Sequence, residues 1–177
     1  ISQYRDVESL NYYKILLDQG KTKEQALKVL AARSRDNSRT PMQWSDDKNA
    51  GFTEGTPWIE APENYKEINA ETELKDPDSI YSFYKKLIAL RKEKDIIAEG
   101  TIEFLEKENA DVLAYRRNYQ GEELIVLNNL TAENVTIRQQ PEWKAYQKRL
   151  GNYEKITAED GKITLRPFET IVLDSAL

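Results

Sequence analysis

The 177-residue sequence contains no cysteine and no histidine. Their absence excludes a thiol nucleophile, a disulfide, a zinc-finger site and a Ser-His-Asp triad. Long apolar runs are missing as well. Stretches such as Leu124-Ile125-Val126-Leu127 fall far short of the roughly 20 residues that span a bilayer, so no membrane partner is expected. Charge of one sign is not concentrated anywhere: 26 Lys+Arg and 31 Asp+Glu are interleaved and sum to −5. That leaves no basic stripe to follow a phosphate backbone, and nucleic acid is not an expected partner. The opening Ile1-Ser2-Gln3-Tyr4-Arg5-Asp6 has neither an initiator methionine nor a basic-then-apolar leader, and reads as an interior cut in a longer chain. Apolar residues are not scarce. At 39% of the sequence they suffice to bury a core, at a length that predicts one or two domains.

The apolar period changes near residue 98 from helical to alternating, which divides the chain into 1–97 and 98–177. Val7, Leu10 and Leu17 lie on one helical face, with Asp6 as N-cap and Gly20 as stop. Thr22 offers a second N-cap with Gln25 three residues on, ahead of the stripe Ala26, Leu27, Leu30 and Ala31. Between 35 and 75 the periodicity vanishes among Pro41, Gly51, Gly55, Pro57 and Pro62. Connections longer than about 12–15 residues are uncommon unless they bind something, and Trp44, Phe52, Trp58 and Tyr65 argue that this one packs. Asp76-Pro77 reads as an N-cap and first-turn proline for a helix over 78–92. Past Gly100, short alternating runs at roughly ten-residue spacing predict an antiparallel β-sandwich, with Phe104, Tyr115, Val126, Ile163 and Val172 in its core.

Several motifs fail on inspection. The run Asp46-Asp47-Lys48-Asn49-Ala50-Gly51 resembles a calcium loop, but its third, fifth and twelfth positions are Lys48, Ala50 and Pro57, which cannot ligate. No metal site is expected. Asn129-Leu130-Thr131 and Asn134-Val135-Thr136 satisfy a glycosylation pattern that is frequent by chance. The pairs Asp46-Asp47 and Glu122-Glu123 lie in turn-like sequence and are poor catalytic candidates.

The informative stretch is Ser34-Arg35-Asp36-Asn37-Ser38-Arg39-Thr40-Pro41-Met42-Gln43-Trp44. An arginine fork presents five donors and stays charged, which suits carboxylates and sugar hydroxyls. On chemistry alone the cluster is a polar ligand site or a structural ion-pair group at a helix end, and both readings stay open.

That stretch, with Ala50-Gly51-Phe52-Thr53, Thr56-Pro57-Trp58-Ile59, Asn64-Tyr65-Lys66-Glu67-Ile68-Asn69 and Leu87-Ile88-Ala89-Leu90-Arg91-Lys92, resembles the alpha-amylase superfamily glucosidases. These include oligo-1,6-glucosidases, dextran glucosidases, maltases and trehalose-6-phosphate hydrolases. The opening residues 1–11 and Leu165-Arg166-Pro167-Phe168-Glu169 tilt the resemblance toward the last of these. It implies an α+β chain: the last helices and long active-site loop of a (β/α)8 barrel, then an antiparallel β-sandwich. It implies retaining glycoside hydrolysis, which needs two carboxyl groups about 5–5.5 Å apart, both carried on upstream barrel loops. No catalytic residue and no cofactor is then expected in this chain, and the isolated chain is expected to be inactive. By motif position Arg39 resembles the arginine that pairs with an upstream Asp and holds the non-reducing-end sugar in the innermost subsite, with Arg35 the runner-up and Asn37 beside them. The implied partners are the missing upstream barrel and an oligosaccharide or phosphorylated disaccharide, in a cytoplasmic enzyme. A different class, a carbohydrate-binding module stacking sugars on Trp44, Trp58, Trp143 or Tyr146, and a purely structural sandwich are the alternatives.

Overall fold

A computed structural model describes residues 1–175. Two compact units follow one another along the chain, Ile1–Pro77 and Asp78–Leu177.

The first unit is built of helices and ordered turns. Helix α1 spans Val7–Asp18, capped by Asp6, whose carboxylate accepts the Ser9 amide N–H. Helix α2 spans Lys23–Arg33 and begins with a full capping box between Thr22 and Gln25, as the spacing predicts. Leu16 of α1 and Ala26 and Leu30 of α2 are buried. A 3-10 turn, Arg35–Ser38, follows directly, with Ser34 as N-cap, its hydroxyl accepting the Asp36 N–H.

The stretch 35–75 is more ordered than its broken periodicity suggests. It holds 3-10 turns at Lys48–Gly51 and Glu63–Lys66 and a short helix α3, Ala70–Lys75. The carbonyls of Gln43 and Trp44 accept the Ala70 and Glu71 N–H groups, meeting the free donors of α3's first turn. Asn49, Ala50 and Gly51 are successively left-handed. A Cβ on Gly51 would lie 2.5 Å from Ser45 Oγ, so glycine is required there. Asn49 secures the turn by donating its amide to the carbonyls of Thr53 and Gly55, each at 2.8 Å.

In the second unit, helix α4 spans Ile80–Glu93 and its cap is Ser79, which accepts from the Ser82 N–H. The expected cap, Asp76, instead ends α3 as its C-cap. Both residues have the right chemistry, and the serine sits next to the helix start. Helix α5, Ile96–Glu99, leads, among the described residues, into eight strands: β1 Thr101–Leu105, β2 Val112–Tyr119, β3 Glu122–Asn129, β4 Val135–Arg138, β5 Gln147–Gly151, β6 Thr157–Glu159, β7 Lys162–Leu165 and β8 Thr170–Asp174. One sheet has the order β1-β2-β3-β8-β5 and the other β4-β7-β6, all pairs antiparallel.

Strand alternation puts successive residues of β3 on opposite faces. Ile125 and Leu127 join Ile171, Leu173, Ile163, Leu165 and Trp143 between the sheets. Leu124 and Val126 join Val172, Leu150 and Ile96 on the other face, where Phe83 and Leu90 of α4 pack. Gln120 and Gly121, both at positive φ, make the two-residue β2–β3 turn that such a hairpin favours. Of the expected core residues, Val126, Ile163 and Val172 are buried, but Phe104 is 51% exposed. It lies on β1, an edge strand, and meets Tyr115 edge-on at 6.4 Å. Trp143 lies in a 3-10 turn, Pro141–Ala145. Asn129 is buried, and its amide donates to the carbonyls of Glu133, Leu165 and Arg166. That makes it a structural bracket rather than a surface acceptor.

Candidate functional site

The junction of α2 with the turn Arg35–Ser38 gathers a buried polar network in the first unit. Asp6, Ser9, Ser34 and Asp36 are all shielded from solvent. Ser9 Oγ donates to Asp6 Oδ2 at 2.8 Å and pairs with the Ser34 hydroxyl at 2.9 Å. Asp36 Oδ2 accepts the backbone N–H groups of Arg5 and Asp6, at 2.7 and 3.1 Å, and so ties the residues before α1 to the turn. The Asp6 carboxyl is held below its ordinary range. The Ser9 hydroxyl is the largest cause, aided by the Ser9 N–H and by the charges of Arg35 and Arg39 against the opposing effect of burial.

Arg39 sits at the end of this network. Its Nη1 lies 3.9 Å from Asp6 Oδ1 and 3.9 Å from Asp36 Oδ1, with 40% of the side chain open to solvent. Arg35 points elsewhere, pairing with Glu8 at 2.6 Å where both side chains are well exposed, a geometry that contributes little to stability. Asn37 donates its amide to the Ala31 carbonyl at 2.9 Å, closing the last turn of α2. The three residues singled out by motif thus share one turn but differ in occupation: Arg39 alone faces two buried acids with its guanidinium partly open. Asp6 and Asp36 were not picked out as site residues in the sequence. The signal that was there is the placement of Asp36 between two arginines and of Asp6 at a helix start.

Nearby, Met42, Trp44, Phe52 and Trp58 are about half exposed or more, and Arg5 Nε donates to the Trp58 carbonyl. A groove of about 730 Å³ runs between α1 and α2, lined by Val7, Tyr12, Ile15 and Leu30 with Arg35 at its side. Among the described residues no group of three or more Asp or Glu is placed to hold a metal ion, and no helix is long and apolar enough to cross a membrane.

Comparison with known families sets this junction and the antiparallel β domain in a class: the end of an alpha-amylase catalytic domain followed by a β-rich domain. The chain belongs to the alpha-amylase family. Residues 5–100 match the family described as alpha amylase, catalytic domain, and residues 112–172 match the alpha-amylase SusG C-terminal domain. It is similar to trehalose-6-phosphate hydrolase of Bacillus subtilis, 46% identical across 97% of this chain, and of Escherichia coli, 44% identical across 97%. Oligo-1,6-glucosidase of Bacillus cereus is 42% identical across 97%. In each case the match takes in 31% of the relative, so this chain spans about a third of their length. Among solved structures, trehalose-6-phosphate hydrolase of Bacillus licheniformis superposes with a TM-score of 0.89 at 44% identity, over 98% of this chain and 32% of that one. Trehalulose synthase of Pseudomonas mesoacidophila gives 0.83 at 34% identity over the same shares.

Proposed function

We propose that this chain supplies the C-terminal third of a retaining, exo-acting α-glucosidase that hydrolyses trehalose 6-phosphate or short α-glucosides. The nucleophile and the acid/base carboxyl belong to upstream barrel loops. Here Arg39 contacts substrate, with Arg35 and Asn37 on the same turn. The observation that carries the reading is Arg39 itself, a fork partly open to solvent and held beside two buried carboxylates within the motif the resemblance picks out. Such a fork positions a sugar through charge-assisted bonds and performs no bond-breaking. Asp6 and Asp36 already serve backbone N–H groups, so neither is offered as a nucleophile. The division into a barrel remnant, 1–97, and a β domain, 98–177, belongs to the proposal and is supported by the two family matches. The second compact unit begins earlier because Phe83 and Leu90 of α4 pack with the sheet's outer cluster. A cytoplasmic location goes with the same reading and rests on the resemblance.

The module alternative is weakened where it needed aromatics. Trp143 is buried, and the Tyr146 hydroxyl is committed to Glu123 at 2.6 Å.

The test is a chimera in which this chain replaces the matched third of the Bacillus subtilis trehalose-6-phosphate hydrolase. It should hydrolyse trehalose 6-phosphate, whereas the 177-residue chain alone should not. Arg39→Lys in the chimera should lose roughly 30- to 1000-fold in kcat/KM, about 2–4 kcal/mol of transition-state stabilisation, with little change in melting temperature. Turnover by the isolated chain, or a kinetically silent Arg39→Lys, would overturn the reading.

A further inference from the structure

The two acids beside Arg39 divide their oxygens in the same way. Asp6 Oδ2 accepts the Ser9 N–H and hydroxyl, and Asp36 Oδ2 accepts the Arg5 and Asp6 N–H groups. In each case it is Oδ1 that faces Arg39 Nη1. Asp36 Oδ1 goes further: it is shielded from solvent and has no hydrogen-bond partner among the described residues. A buried carboxylate oxygen without a donor is costly, so its retention calls for a reason.

Burial decides what that oxygen can reach. A sugar cannot approach an atom shielded from solvent, while a guanidinium with 40% of its side chain open can meet both the ligand and the buried acid. At 3.9 Å the pair is attracted by charge yet about 1 Å longer than a charge-assisted hydrogen bond. Two acids on one corner of the fork hold it by charge. A single acid in bidentate contact would instead consume two donors that a ligand needs.

We infer that Asp36 is a positioning residue for Arg39: its buried Oδ1, together with that of Asp6, anchors the Nη1 corner of the guanidinium and leaves the rest of the fork for the substrate side of the site. The inference rests on the reading of Arg39 as a substrate contact and extends it to the residue that aims it. Replacing Asp36 by Asn is diagnostic. Oδ2 must remain an oxygen to accept two backbone N–H groups, so the amide NH2 takes the place of Oδ1 and turns donors toward the arginine.

In the chimera, Asp36→Asn should lower kcat/KM for trehalose 6-phosphate about tenfold to a hundredfold. The double variant with Arg39→Lys should fall no further than Arg39→Lys alone, because both changes disable one contact. Independent losses that multiply in the double variant, or a silent Asp36→Asn beside a damaging Arg39→Lys, overturn the inference and leave the function standing. A silent Arg39→Lys, or a folded chimera without activity, overturns the function itself. Should Asp36→Asn fail to fold, the unsubstituted 177-residue chain gives the second measurement. By NMR the Arg39 guanidinium should rotate more slowly than that of exposed Arg33, and equal rates would overturn the inference.

Discussion

In the unit Ile1–Pro77 the side chains shielded from solvent include Asp6, Ser9, Ser34, Asp36 and Asn69 beside Leu16, Ala26, Leu30 and Ala50. In Asp78–Leu177 the shielded set runs to Ile125, Leu127, Ile163, Leu165, Ile171, Leu173 and Trp143, packed together between two sheets. The first unit is knit by directed bonds and leaves Trp44 and Trp58 outside. The second has directed bonds at buried Asn129, Glu169 and Asp174, but its main mass is undirected apolar contact between the sheets. Hydrogen bonds fix orientation, which the role proposed for Arg39 requires. Apolar burial scales with area and gives a rigid support without specifying direction.

The contrast breaks most visibly if charge is placed in the apolar core. Leu127→Asp buries an unpaired carboxylate among Ile125, Ile163 and Ile171, and should cost several kcal/mol of a typical 5–15 kcal/mol stability. Leu113→Asp, at a position 42% exposed on the neighbouring strand, should cost well under that. Urea unfolding followed by circular dichroism compares the two. Equal midpoints would mean that β3 does not face the core described.

How far these differences could be read in advance depends on whether a residue's role is local. Asp6 and Thr22 cap α1 and α2 where the spacing placed them, because a cap is decided within three residues. Phe104 was misplaced because alternation gives a strand's faces but not its position in the sheet, and β1 lies at the edge. Asp76 and Ser79 offer equivalent caps three residues apart, and helix α3, invisible to periodicity at six residues, claims the first. Arg39 stood out because it belongs to a recognisable motif. The anchoring role of Asp36 did not, since it depends on backbone N–H groups about thirty positions away, and no local pattern encodes such a contact.

The directed network can be probed by a single hydroxyl. Ser34 Oγ accepts the Asp36 N–H at 3.2 Å and pairs with the Ser9 hydroxyl at 2.9 Å, inside the unit. Ser34→Ala leaves the buried Asp36 N–H without that acceptor, while the Ser9 hydroxyl keeps Asp6 Oδ2, and should cost about 1–2 kcal/mol. The matching change in the other unit is Thr136→Ala, which removes a hydroxyl paired with Thr164 at 3.0 Å on an exposed face. That loss should stay within about 0.5 kcal/mol, because water replaces the partner. Thermal unfolding of both variants measures the gap, and equal losses would erase the distinction between the units.

A modest effect concerns another polar contact of the second unit. The Tyr146 hydroxyl donates to Glu123 Oε2 at 2.6 Å, and Glu123 Oε1 accepts from Arg116 Nη1 at 3.1 Å. Burial first, then the bond to Glu123 and its charge, push the Tyr146 phenol up to about 12. A phenol with a raised folded-state pKa favours folding in its neutral form. Its contribution is therefore complete below the unfolded value near 10 and is lost as pH rises from there toward 12. Lys94 acts in the same direction, its pKa raised chiefly by the hydrogen bond to Asp174, so melting alone does not isolate the tyrosine. Tyrosinate absorbance does: subtracting the alkaline titration of Tyr146→Phe from that of the parent should leave one phenol ionising near pH 12. At neutral pH the variant should lose only about 0.5–1.5 kcal/mol, since Glu123 keeps Arg116 as a partner. A difference curve centred near pH 10 would show that the Tyr146–Glu123 bond does not hold in solution.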